Sequence, residues 1–159
     1  MARTQYRPLQ QEVWVNGQPI VYEASGSPEP LVLLHGLAGS SRWWSGSVPA
    51  LSRHYQVFLI DLPGFGRLAH HCFHLADAVA WVHTWMEAIG LARANIVGHS
   101  MGGFISIQLA ARWPEKVNRL VLVDAAGVSG RRGLAACVLP LFQEVRHVFP
   151  KYWAAFEEE

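Results

Sequence analysis

An α/β fold, a three-layer sandwich on a mostly parallel sheet, is predicted by three features of this sequence. Short apolar runs that do not alternate suit strands buried on both faces. Segments with apolar residues at three- and four-residue steps lie between those runs. Glycine and polar residues gather where the apolar runs end, as they do at the carboxyl rim of a helix-covered parallel sheet.

The elements follow in order. Val13 and Val15, then Ile20 and Tyr22, alternate around Asn16-Gly17. That pair accepts the positive φ of a tight turn, so residues 12–23 are predicted to form a β-hairpin. Gly26, Pro28 and Pro30 mark a loop. The runs Leu31-Val32-Leu33-Leu34, Val57-Phe58-Leu59-Ile60, Asn95-Ile96-Val97 and Leu120-Val121-Leu122-Val123 are predicted strands. A short helix is expected within residues 41–53. Leu75, Val79, Val82, Met86 and Ile89 form one helical stripe, stopped by Gly90. A further helix should run from about residue 101 to Trp113, before Pro114. Strand-helix-strand order implies right-handed crossovers.

Composition narrows the class. The 159 residues are 51% apolar and 16% charged, which excludes disorder for most of the chain. With 13 basic and 12 acidic side chains the net charge is +1, so no electrostatic footprint for nucleic acid exists. Seven tryptophans and seven phenylalanines favour a packed core with an aromatic-lined pocket. Cys72 and Cys137 make no disulfide framework and no metal pattern, so free thiols in a reducing compartment are expected. The polar N-terminal segment lacks the apolar stretch of a secretory signal, and no run is long enough to span a membrane. A cytoplasmic protein is the expectation, with no cofactor and no metal. His70, His71 and His74 cluster near a helix start, but without nearby carboxylate patterning they are expected to form a solvated loop.

One motif carries chemistry. Gly98-His99-Ser100-Met101-Gly102 fits G-x-S-x-G, and it lies between a predicted strand and a predicted helix. That context is what a nucleophile elbow demands: a tight turn thrusts the serine clear of the sheet, and the glycines spare the clashes a Cβ would cause. The helix start adds N–H groups for a developing oxyanion.

Together with Leu33-Leu34-His35-Gly36-Leu37, Asp61-Leu62-Pro63-Gly64-Phe65-Gly66 and residues 120–127, this motif makes the chain resemble the α/β-hydrolase superfamily. The likeness is to the esterase-like group with a cap domain, and it covers about residues 12–127. It implies Ser100 as nucleophile and the backbone N–H groups of Leu37 and Met101 as the oxyanion hole. His35, Gly36, His99 and Trp43 would line the substrate site. In the family the first histidine shapes the oxyanion loop and the second packs beside the elbow, yet both are also candidate bases here. Trp43 and Trp44 are open between acyl pocket and core. Asp124, closing the run 120–123, is the candidate acid, and Asp61 is expected to order the turn at Gly64 and Gly66.

The resemblance further implies that residues 1–127 are the N-terminal part of the hydrolase core. Residues 128–159 would open a helical cap, with Leu134, Val138, Leu141, Val145 and Val148 at helical steps. The fold would then stop after its sixth strand, and the family's catalytic histidine would lie beyond residue 159; His147 is a weaker candidate within the cap segment. The expected function is hydrolysis of esters, thioesters or related small carbonyl compounds through an acyl-enzyme, on a small hydrophobic acyl substrate. The alternative is a non-catalytic ligand-binding or fragment protein of the same fold. A homodimer, or a complementing C-terminal half, would cover the last strand's open edge.

Overall fold

The computed structural model describes residues 9–128, apart from Ser27 and Phe73. The chain divides between Ala125 and Ala126, and every element named below belongs to the first part. The expected cap helix over residues 131–156, with His147 and Cys137, lies outside the described residues.

The hairpin forms as the alternation predicts. β1 (Leu9–Val15) and β2 (Gln18–Gly26) pair antiparallel with Val13 opposite Ile20. Asn16 and Gly17 turn between them at φ 50° and 78°, the two positive values that a two-residue turn needs to match the strand twist. The apolar runs become β3 (Pro30–Leu34), β4 (Gln56–Ile60), β5 (Ala94–His99) and β6 (Val117–Val123). They stand in the order β1-β2-β4-β3-β5-β6, with β4, β3, β5 and β6 mutually parallel and β2 antiparallel to β4.

The runs lack alternation because both faces of the sheet are covered. On one face α2 (Leu75–Ala88) and α3 (Met101–Arg112) pack Val79, Val82, Trp85, Met86, Ile105 and Leu109 against Val32, Leu34, Ile60 and Ile96. The intervening residues Leu31, Leu33, Val57 and Leu59 face the other way, onto Val48 of α1 (Val48–Leu51) and the half-buried Trp44, Leu51 and Tyr55. These are the three predicted layers. Burying a side chain of this size contributes on the order of 1.5–3 kcal/mol, so the first, larger cluster carries most of the hydrophobic stabilisation.

Two local expectations are corrected. The helix expected within residues 41–53 is two short pieces, a 3-10 turn (Ser41–Trp44) and α1. Ser45, Gly46 and Ser47 separate them, and Pro49 restarts the chain in the first turn of α1, where its missing N–H costs nothing. The second correction concerns the last strand. Val121, Leu122 and Val123 are 53%, 38% and 38% exposed instead of buried. β6 is the outermost strand, hydrogen-bonded only to β5 among the described residues.

Candidate active site

The parallel strands β3, β5 and β6 are neighbours, so their carboxyl ends open onto one rim. Leu34 pairs with Gly98, and His99 with Val123. The chain leaves these strands as His35-Gly36-Leu37, Ser100-Met101 and Asp124, three segments far apart in sequence brought side by side by register alone.

Ser100 joins β5 to α3 at φ 50° and ψ −114°. That conformation lies outside the regions open to a residue with a Cβ, and such strain costs of order 1–3 kcal/mol. Three constraints hold it. The Ser100 N–H donates to the Val123 carbonyl at 2.9 Å, and its own carbonyl accepts the first intrahelical bond, from Phe104, at 3.1 Å. The flanking glycines allow close approach. A Cβ on Gly102 would lie 2.5 Å from the carbonyl oxygens of both Leu34 and His35, and one on Gly98 would lie 2.4 Å from Ser106 Oγ. Since α3 begins at Met101, the N–H groups of its first turn have no intrahelical acceptor and remain available to an anion.

The other side of the rim is the loop after β3. His35 is fully buried. Its Nε2 accepts the Leu62 N–H at 3.0 Å, so its proton sits on Nδ1, which donates to the Gly36 carbonyl at 2.8 Å. Burial lowers the His35 pKa below its ordinary value, partly opposed by the Gly36 bond and the nearby Asp61 charge. With both nitrogens engaged and no exposed surface, His35 holds two loops together. Neither ring nitrogen is left free to act as a base. Beyond it the loop turns tightly: Gly39 N–H donates to Gly36 O at 3.1 Å, and Ala38 has φ 55°.

His99 stands beside this loop, half-buried, with Nδ1 lying 2.8 Å from where a Gly36 Cβ would be. That nitrogen is buried and has no hydrogen-bond partner among the described residues. The imidazole meets Trp43 edge-on at 5.4 Å between centroids. Trp43 is 54% exposed while Trp44 turns into the core below the sheet, which separates two neighbours that sequence left equivalent. Asp124, exposed at the end of β6, has φ 45°.

Asp61 does more than its predicted turn. Buried at the end of β4, it accepts the Arg67 N–H on Oδ2 at 2.9 Å and the Ser41 N–H on Oδ1 at 2.6 Å. The second bond reaches the loop after β3 and was not foreseen; no local pattern marks a partner so distant in sequence. The histidine cluster is also placed more specifically than as a plain solvated loop. His70, His71, Cys72, His74, Asp77 and Trp81 line an open cleft of about 430 Å³, away from Ser100. Among the described residues no group of three or more His, Cys, Asp or Glu is arranged to hold a metal ion.

A strained serine between a central strand and a helix, opposite a histidine-anchored loop on a three-layer sandwich, has the strand-turn-helix setting that the G-x-S-x-G elbow requires. Residues 29–158 match the alpha/beta hydrolase fold family, and the chain belongs to it. It is 32% identical over 138 residues to a (lyso)-N-acylphosphatidylethanolamine lipase of Mus musculus, covering 80% of this chain and 38% of that protein. It is 40% identical over 110 residues to a 2-hydroxy-6-oxo-2,4-heptadienoate hydrolase of Pseudomonas putida, covering 65% and 40%. Among solved structures, a meta-cleavage product hydrolase of Pseudomonas fluorescens IP01 superposes with a TM-score of 0.66 at 32% identity, over 74% of this chain and 45% of that one. The chain thus spans less than half the length of these relatives. No helix among the described residues is long and apolar enough to cross a membrane.

Proposed function

We propose that Ser100 is the nucleophile of a hydrolase acting on small carbonyl esters with an apolar acyl group. The observation that carries this reading is the Ser100 backbone at φ 50° and ψ −114°: a fold retains such strain where the exposed Oγ is used. Ser100 Oγ attacks the carbonyl carbon, and its proton passes to a histidine base. The negative charge that develops on the carbonyl oxygen is received by the N–H groups of Met101 and Leu37. Collapse expels the alcohol with that proton and leaves an acyl-serine, which water hydrolyses to the acid and free Ser100. Asp124 is the proposed acid orienting the base, since it leaves β6 directly beside the elbow strand. Trp43 and His99 form the wall against which an apolar acyl group packs, with Gly36 keeping the floor open. His35 supports the oxyanion loop from behind. The names of the two curated relatives, a lipase and a hydrolase, support hydrolysis as the class of reaction.

The test is reaction of the purified chain with an organophosphonate serine probe, read by intact mass and peptide mapping. One adduct on Ser100, absent in Ser100→Ala, is the expected result. Asp124→Asn should slow labelling at least tenfold; an unchanged rate would return Asp124 to a structural role. A second reading, a non-catalytic binding protein of the same fold, is favoured by the engagement of both His35 nitrogens, which removes one candidate base. A folded chain that takes no adduct would support that reading and overturn the first.

A further inference from the structure

The rim of the site contains one buried ionisable group that the proposed reaction does not use, Asp61. We propose that Asp61 is a positioning residue for the oxyanion donor Leu37, acting by clamping the loop after β3 to the loop after β4. The proposal rests on the reading of Leu37 as a donor.

The loop that carries Leu37 has two anchor points. At its start, His35 is tied to Leu62 in the loop after β4. At its end, Ser41 donates its N–H to Asp61 Oδ1 at 2.6 Å. Both anchors therefore reach the same neighbouring loop, and the five residues between them are drawn into a turn closed by the Gly39–Gly36 bond. Ser41 opens the 3-10 turn, and Ser40 provides no side-chain cap for it. Asp61 supplies that cap from another strand, satisfying a donor that would otherwise be buried and unpaired. Its second oxygen is held by the Arg67 N–H at 2.9 Å, so the carboxylate cannot rotate away from Ser41 without losing one bond to form another. Gly66 completes the seat: a Cβ there would lie 2.4 Å from the carboxyl carbon. The same 3-10 turn presents Trp43 to His99, so one carboxylate fixes both the direction of the Leu37 N–H and the aromatic wall.

A carboxamide keeps the shape of Asp61 but accepts at only one of its two atoms, so Asp61→Asn must release either Ser41 or Arg67. Ser41→Pro isolates the first bond. It deletes the Ser41 N–H and with it the buried side-chain hydroxyl, whose loss alone is measured in Ser41→Ala; the site is the first position of a helical turn, where proline fits. The preceding Ser40 is already extended at φ −156° and ψ 172°, as a residue before proline prefers.

The experiment measures, in both variants, amide exchange of Gly39 and the Leu37 amide chemical shift by NMR, together with phosphonate labelling of Ser100 against probe concentration. Expected are Gly39 exchange about tenfold faster and a shifted Leu37 resonance. Labelling at saturating probe should fall about 10- to 100-fold at an unchanged half-saturating concentration, because misplacing a catalytic group by about 1 Å costs up to ~10² in rate. If Ser41→Pro folds with wild-type Gly39 exchange, Leu37 shift and labelling, Asp61 serves only its own turn and the proposal is overturned. If Asp61→Asn does not fold, Ser41→Pro decides alone. If the wild-type chain takes no adduct, the hydrolase reading fails, and the two amide measurements still decide whether Asp61 positions the loop.

Discussion

Replacing Ser100 by glycine should make this protein more stable while removing its proposed nucleophile. At φ 50° and ψ −114° the Ser100 backbone is in a region that only glycine enters freely. Strain of this kind costs about 1–3 kcal/mol. Glycine relieves it but loosens the unfolded chain, which takes back about 0.4–1 kcal/mol. At the middle of both ranges the net gain is about 1.3 kcal/mol. For a chain of 159 residues this corresponds to a rise in melting temperature of roughly 3–5 °C, at about 2–4 °C per kcal/mol. Ser100→Ala is the matched control, because it removes the hydroxyl and retains the Cβ that causes the strain. Both variants would be melted by circular dichroism and unfolded in urea, and both should resist the phosphonate probe. Equal stability of the two would refute the argument that the elbow stores strain, and with it the observation on which the functional reading rests.

Further outcomes follow from the same geometry. Gly102→Ala should destabilise the chain by about 3 kcal/mol or more, above the usual range for overpacking, because its Cβ would meet two main-chain oxygens at 2.5 Å. Gly46→Ala, where a Cβ meets nothing within 4 Å, should gain about 0.4–1 kcal/mol in the same denaturant titration, because alanine stiffens the unfolded chain. His35 links stability to pH. Its pKa is lowered by burial from the ordinary 6.5, so the unfolded chain takes up a proton before the folded one. The contribution of neutral His35 is whole above about pH 6.5 and is lost as pH falls below it, at up to about 1.4 kcal/mol per pH unit. Urea titrations of wild type and His35→Gln between pH 7 and pH 5 should show the steeper slope in wild type, since His71, also lowered by burial, contributes equally to both; parallel curves would show that His35 is not the group responsible.

What could be read in the sequence was whatever a short window determines. The runs at residues 31–34, 57–60 and 95–97 became strands because apolar residues on both pleats require cover on both faces, and the helical stripe from Leu75 to Ile89 supplies it. The elbow was legible because its glycines, serine and flanking elements are contiguous. Pairing was not legible. Nothing in residues 18–26 says that β2 lies antiparallel against β4, since periodicity describes a strand's faces and not its edges. The same blindness hid the Ser41–Asp61 bond, which joins residues from separate strand exits. It also left Trp43 and Trp44 undivided, because in a tight 3-10 turn consecutive side chains point in different directions that no stripe records. At β6 the run Leu120-Val121-Leu122-Val123 has the composition of an inner strand, and among the described residues it stands at the end of the strand order with Val121, Leu122 and Val123 exposed.

Among the described residues the two faces of the sheet are unequally covered. One face bears two full helices, while the other rests on α1, a 3-10 turn and a cluster with five buried apolar residues. Local opening follows the thinner packing, so the layer around Val48 should be the first to come away from the sheet. The aromatic wall at Trp43 rides on that layer, whereas Ser100 and the first turn of α3 are tied into the thicker one. The described residues thus join a stiffer half that holds Ser100 to a more yielding half that carries Trp43. Limited proteolysis should mark the same division, cutting first near Gly46 while the segment from β5 through α3 survives intact.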